Sequence, residues 1–141
     1  MRLRLAIVPA AIALVACAGP DADDDTCGEV YMPGMTASGP AGSTITLVAA
    51  DPAPPARFIN SWTIVASDPG GGAMGASAVV VSTFMPAHGH AGPPPAVTTG
   101  AAPELVVTPI DLWMPGLWEV TFAVSHAGGT DRAVFAFCVA E

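Results

Sequence analysis

Short runs of β-branched and aromatic residues alternate with segments rich in Gly, Pro and Asp from residue 43 to the end of the chain. In the run 117–124, Trp118, Val120 and Phe122 fall on one side, because successive side chains of a strand point to opposite faces. No comparable helical period follows the first residues of the chain. The pattern predicts seven strands, at residues 43–49, 58–66, 78–84, 96–99, 104–110, 117–124 and 132–139.

Strands of this number and spacing predict an all-β fold, an immunoglobulin-like antiparallel β-sandwich of about seven strands. Gly128 and Gly129 lie between the last two runs and can adopt the positive φ of a hairpin turn. The composition agrees, since 15 Gly and 15 Pro among 141 residues argue against long helices. We therefore expect one β-sandwich domain over residues 27–141.

The first residues have the pattern of an export signal. Arg2 and Arg4 precede an apolar run that is too short to cross a bilayer and ends at Cys17. The closing tetrad, Leu14-Val15-Ala16-Cys17, resembles a bacterial lipobox, in which the signal peptide is removed and the Cys is lipidated. Residues 1–16 are thus predicted to be a lipoprotein signal peptide and Cys17 the lipidation site. An ordinary secretory signal with an incidental Cys is the alternative.

Residues 17–26 carry four Asp and have no apolar period, so we interpret them as the lipidated Cys followed by an acidic tether. The expected location is the bacterial cell envelope, with the chain held to a membrane by its lipid. Ala18, rather than Asp, after the Cys favours the outer membrane and its periplasmic side. The formal charge of −8, with only four Lys and Arg in total, excludes a nucleic-acid-binding surface.

Cys17 is assigned to the lipid, which leaves Cys27 and Cys138 as a pair at the two ends of the predicted domain. Outside the cytoplasm such a pair is expected to form a disulfide bond. A pair of soft metal ligands is the alternative, although the two residues lack the local spacing of a Cys metal site.

One loop combines a thioether with two imidazoles: Met85, His88 and His90 lie within six residues. This mixture of ligands suits copper, especially Cu(I), in an oxidising compartment. Met114 begins a second Met-Pro segment and completes a candidate metal site if the two loops lie at the same end of the sandwich. Alternatively, the methionines cover the end of the core and the histidines only shape their loop.

The segments Met85-Pro86-Ala87-His88-Gly89-His90 and Met114-Pro115-Gly116-Leu117-Trp118 resemble those of the YtkA-like/FixH-like domain family. The resemblance covers residues 60–139 and departs at Ala91, where Gly commonly closes the first motif. It implies a small immunoglobulin-like sandwich that is exported or membrane-anchored. It also implies an envelope protein or a metal-efflux component as a partner, because some members occur beside copper-handling proteins.

The sequence contains no recognisable catalytic constellation. Ser77 lacks the second Gly and the helix of a nucleophile elbow, and no carboxylate pair is spaced with a His for acid–base work. We therefore predict a non-enzymatic binding module of the cell envelope, with copper as the candidate ligand. The alternative is a structural or protein-interaction module without a metal site.

Overall fold

The computed structural model describes residues 27–141, which form two antiparallel β-sheets packed face to face. The first sheet has the order β1-β2-β3-β7-β6, with strands Met35–Ser38, Thr44–Asp51, Phe58–Ser67, Leu105–Leu112 and Ala96–Thr99. The second has the order β5-β4-β8-β9, with strands His90–Ala91, Val79–Met85, Gly116–His126 and Gly129–Val139. A 3-10 turn at Ala76–Ala78 precedes β4.

The predicted all-β sandwich is confirmed, and each of the seven predicted strands is present. Two further strands, β1 and β5, have four and two residues and lie at sheet edges. β5 is too short to show a period of two, and β1 contains one β-branched residue where the equally short β6 contains three. The last hairpin is tighter than the predicted loop, because β8 continues to His126 and β9 begins at Gly129.

Aromatic side chains from both sheets meet in the core. Trp62 of β3 is fully buried, and its ring lies 5.6 Å from that of Phe137 and 6.3 Å from those of Phe122 and Phe135. Because Trp62 belongs to one sheet and the three phenylalanines to the other, these contacts hold the two sheets together. Among residues 27–141, the buried hydrophobic residues lie between Ile45 and Val139.

A disulfide bond joins Cys27 to Cys138, as predicted. The residues after Cys27 continue along the edge of β9: Gly28 forms an isolated β-bridge with Phe137, and the Ala136 N–H donates to Glu29 Oε2 over 2.9 Å. The start of the domain is thereby attached to its last strand.

A buried carboxylate fixes the turn between β1 and β2. Asp131 is 3% exposed and accepts hydrogen bonds from the backbone N–H groups of Ser43, Ala41 and Arg132 at 2.9, 3.1 and 3.0 Å. Burial raises the pKa of this carboxyl, but the three donors together hold the pKa below its ordinary value. Asp131 thus ties the β1–β2 turn, in one sheet, to β9 in the other.

Residues 27–141 contain no helix that is long and apolar enough to cross a membrane. The signal peptide predicted at residues 1–16, the lipidation site at Cys17 and the acidic tether lie outside the described residues.

Candidate functional site

The two Met-Pro loops lie at the same end of the sandwich. β4 ends at Met85 and its neighbour β8 begins at Gly116, while β7 ends at Leu112 beside the start of β3 at Phe58. The Met85 Cε comes so close to Gly116 that a Cβ at position 116 would lie 2.7 Å from it. We call this end, where β3 and β8 begin and β4, β7 and β9 finish, the Met-Pro end.

Met85 is part of the hydrophobic core. Its side chain is 1% exposed and covers the end of the core against Gly116, which has a φ of +121°. The absence of a side chain at position 116 makes room for the Met85 methyl group. In this conformation the Met85 sulfur is enclosed in the protein rather than presented to solvent.

The histidines lie on a tight turn that returns the chain from β4 to β5. The Gly89 and His88 N–H groups donate to the Met85 carbonyl at 2.9 and 3.2 Å, and Gly89 has a φ of +64°. The turn brings His90 directly opposite Met85 in the β4–β5 ladder. Residues directly opposite each other in such a ladder project from the same face, so His90 lies beside Met85 at the sheet edge.

His88 and His90 form an exposed imidazole pair. Their ring centroids are 5.8 Å apart and their planes are inclined by 29°. Metal–nitrogen distances of about 2 Å allow two imidazoles to share one ion at a centroid separation of roughly 5 to 6 Å. Residues 27–141 hold no group of three or more His, Cys, Asp and Glu side chains that could bind a metal.

Met114 belongs to the second loop and packs against the border of the core. The loop is fixed through its backbone: the Met114 carbonyl accepts a 2.9 Å hydrogen bond from Trp118 Nε1, and the Trp113 carbonyl accepts one of 3.2 Å from Arg57 Nη2. The Trp113 and Trp118 rings meet edge to face at 4.9 Å. The structure thus brings the loop of Met114 to the same end as the imidazole pair.

His126 lies at the opposite end of the sandwich, where β8 finishes. Its Nδ1 accepts a 3.1 Å hydrogen bond from the Gly128 N–H, and its buried Nε2 has no hydrogen-bond partner among the described residues. His126 shapes the last hairpin and is well separated along β8 from the imidazole pair.

An exposed apolar segment at the Met-Pro end was not singled out by the sequence pattern. Phe58 is 58% exposed and Ile59 56% exposed, and the Arg57 guanidinium lies 4.9 Å from the Phe58 ring centroid. Phe58 has a φ of +71°, which is uncommon for a residue with a side chain. In the sequence these residues read as an ordinary strand start, so neither their exposure nor this backbone conformation is visible there.

No protein-family model, curated protein or solved structure matches this chain. The all-β fold therefore follows from the structure itself, and the resemblance to the YtkA-like/FixH-like family stays a prediction.

Proposed function

We propose that residues 27–141 are a non-enzymatic copper-binding module, held in the bacterial cell envelope by a lipid on Cys17. The observation that carries this proposal is the exposed His88–His90 pair, whose rings are 5.8 Å apart on a turn that sets His90 opposite Met85. An ion held by two exposed imidazoles is open to solvent on one side. Such a site suits the delivery or acceptance of a metal better than permanent storage.

The chemistry of the available ligands favours copper over harder metals. Imidazole and thioether groups are soft or borderline ligands that suit copper, and Cu(I) in particular. Within residues 27–141 no Cys thiolate is available as a ligand, because Cys27 and Cys138 are joined in a disulfide bond. The resemblance to a family found beside copper-handling components supports the same metal. It also supports an envelope protein or a metal-efflux component as the partner.

Met85 and Met114 are the proposed thioether ligands of this site. Met85 is enclosed in the structure, so its sulfur has to rotate toward the edge at β5 to reach an ion held by His90. The unbranched methionine side chain has the rotational freedom for such a movement. Met114 needs a smaller change, because its side chain is only partly buried at the border of the core.

The experiment is a titration of the chain from Ala18 onward with Cu(I) and with Cu(II), each against a competing chelator. His88→Ala/His90→Ala should lower the affinity for copper by at least about tenfold, because two of the ligands are lost. His126→Ala is the matched control, since His126 lies at the opposite end, and it should bind as the unchanged chain does. Equal and weak binding by the unchanged chain and the double variant would contradict the proposal.

The second candidate function is a structural or protein-interaction module without a metal site. It is favoured by the complete burial of Met85 against Gly116, which is the behaviour of a core residue. Met85→Leu tests the role of Met85, because leucine preserves most of the packing volume but removes the sulfur. A copper affinity that falls while stability is retained identifies Met85 as a ligand, and an unchanged affinity identifies it as a packing residue only. The absence of copper binding by the unchanged chain would support the module without a metal site.

A further inference from the structure

The exposed large hydrophobic side chains are distributed unevenly over the domain. Among the residues that the structure describes, five of seven lie at or beside the Met-Pro end. Phe58 and Ile59 are the first two residues of β3 at this end, and Phe84 immediately precedes Met85.

Val30 and Met32 also lie near this end. They flank Tyr31, whose hydroxyl accepts a 3.0 Å hydrogen bond from the Ala50 N–H near the end of β2. The remaining two, Val80 and Val134, lie on the outer face of the four-stranded sheet.

Phe58 is the most informative member of this group. Its φ of +71° is unfavourable for a residue with a Cβ, and its ring is more than half exposed. The surrounding structure therefore holds an aromatic side chain in an unfavourable backbone conformation without burying it. Arg57 lies against the ring, and Ile59 follows on the next exposed position. The recess beside the ring is lined by apolar residues and by the charged residues Arg57 and Glu141. An exposed aromatic ring bordered by both apolar and charged groups is suited to the interfacial region of a bilayer.

The chain also enters the domain at this end. Cys27 is bonded to Cys138, which is next to the last residue of β9, and β9 finishes at the Met-Pro end. Residues 17–26 can span at most about 35 Å even when fully extended. A lipid on Cys17 would therefore attach the domain to the membrane through its Met-Pro end, and the opposite end, with Asp131 and His126, would carry no such attachment.

We propose that the Met-Pro end rests on the bilayer surface, with Phe58 and Ile59 in its interfacial region. This inference rests on the proposed lipid anchor, because the anchored segment joins the domain at the apolar end and so favours a membrane over a protein as the occupant of that end. Asp51 and Asp111, at the adjoining strand ends, favour zwitterionic over anionic lipid. The same orientation brings His88 and His90 near the membrane, within reach of a membrane-embedded partner.

The experiment places a photoreactive benzoylphenylalanine at position 58 of the full chain, in a bacterial host that processes lipoproteins. Position 80 is the matched control, because Val80 is 65% exposed on the outer sheet face, toward the other end of β4. After irradiation, the chain labelled at 58 should carry a phospholipid adduct, at least about fivefold more than the chain labelled at 80. An adduct with a second copy or another protein, no adduct, or equal lipid labelling from both positions would overturn the proposal.

Membrane fractionation of the same cells separates this inference from the anchor on which it rests. A chain recovered outside the membrane fraction contradicts the lipid anchor. A chain recovered with membranes but without lipid labelling at position 58 contradicts only the proposed orientation. Copper titration of Phe58→Ser tests neither the lipid anchor nor the orientation. The copper affinity of this variant should equal that of the unchanged chain, because Phe58 is not a proposed ligand.

Discussion

Met85 and Gly116 fit against each other across the neighbouring strands β4 and β8, with the Met85 Cε occupying the space that a side chain at position 116 would need. This contact joins the two Met-Pro segments and closes one end of the core. It also explains why a methionine of the candidate metal motif is buried: the second Met-Pro segment provides the glycine that accommodates its side chain.

Gly116→Ala should therefore destabilise the domain by about 1–3 kcal/mol, through a Cβ that meets the Met85 methyl group and through its φ of +121°. Gly129→Ala is the matched control, because Gly129 has a similar φ of +132° but nothing within 4 Å of the added Cβ. Chemical denaturation should show the larger loss at position 116. Equal losses at the two positions would mean that the contact with Met85 contributes nothing.

The lowered pKa of Asp131 predicts how the stability of the folded domain changes in acid. Its pKa is lowered in the folded state, so its contribution to stability is present above the unfolded pKa of about 4 and is lost as the pH falls through the folded value. The free energy of unfolding should decline from about pH 5 downward. In Asp131→Asn that part of the pH dependence should be missing.

Asp51→Asn is the control for this measurement, because Asp51 is exposed at the end of β2. Its unfolding should depend on pH as that of the unchanged domain does. A steep acid dependence that persists in Asp131→Asn would contradict the role assigned to the buried carboxylate.

The disulfide bond closes a long loop, with a sequence separation of 111 between Cys27 and Cys138. Reduction should lower the free energy of unfolding by about 2–5 kcal/mol, chiefly because the unfolded chain regains conformational freedom. Thermal melting with and without a reductant measures the effect. Cys27→Ser/Cys138→Ser is the control and should melt at one temperature in both conditions; a shift that persists in this variant would have another source.

Cys17→Ser tests the membrane anchor. The variant should leave the membrane fraction, because the residue that would carry the lipid is gone. Cys27→Ser retains Cys17 and should stay with the membrane. Unchanged fractionation of Cys17→Ser would rule out the lipobox interpretation.

Much of the fold could be predicted from local pattern. The seven predicted strands were recognisable because β-branched content and alternation with a period of two are properties of each segment by itself. The pairing of Cys27 with Cys138 followed from the count of cysteines and the expected compartment. β5 was not predicted because two residues show no pattern. β1 was not predicted because it contains one β-branched residue, whereas β6, an edge strand of the same length, contains three.

The candidate site could be predicted only in part. The sequence identified four candidate ligands, Met85, His88, His90 and Met114. It could not show whether their two loops lie at the same end of the sandwich, which a shared site requires. The structure shows that the loops do share it, because β4 and β8 are antiparallel neighbours. It also shows that Met85 is enclosed while the two imidazoles are exposed.

By itself, the sequence determined the all-β class, most strand positions and the residue types available for chemistry. The tertiary structure decided which strand ends meet, which methionine fills the core, and that Phe58 is left exposed in a left-handed backbone conformation. The physical reason is that alternation along a strand is set by neighbours in the chain. The burial of a side chain and the position of a loop relative to other loops depend on pairing between strands that lie far apart in the sequence.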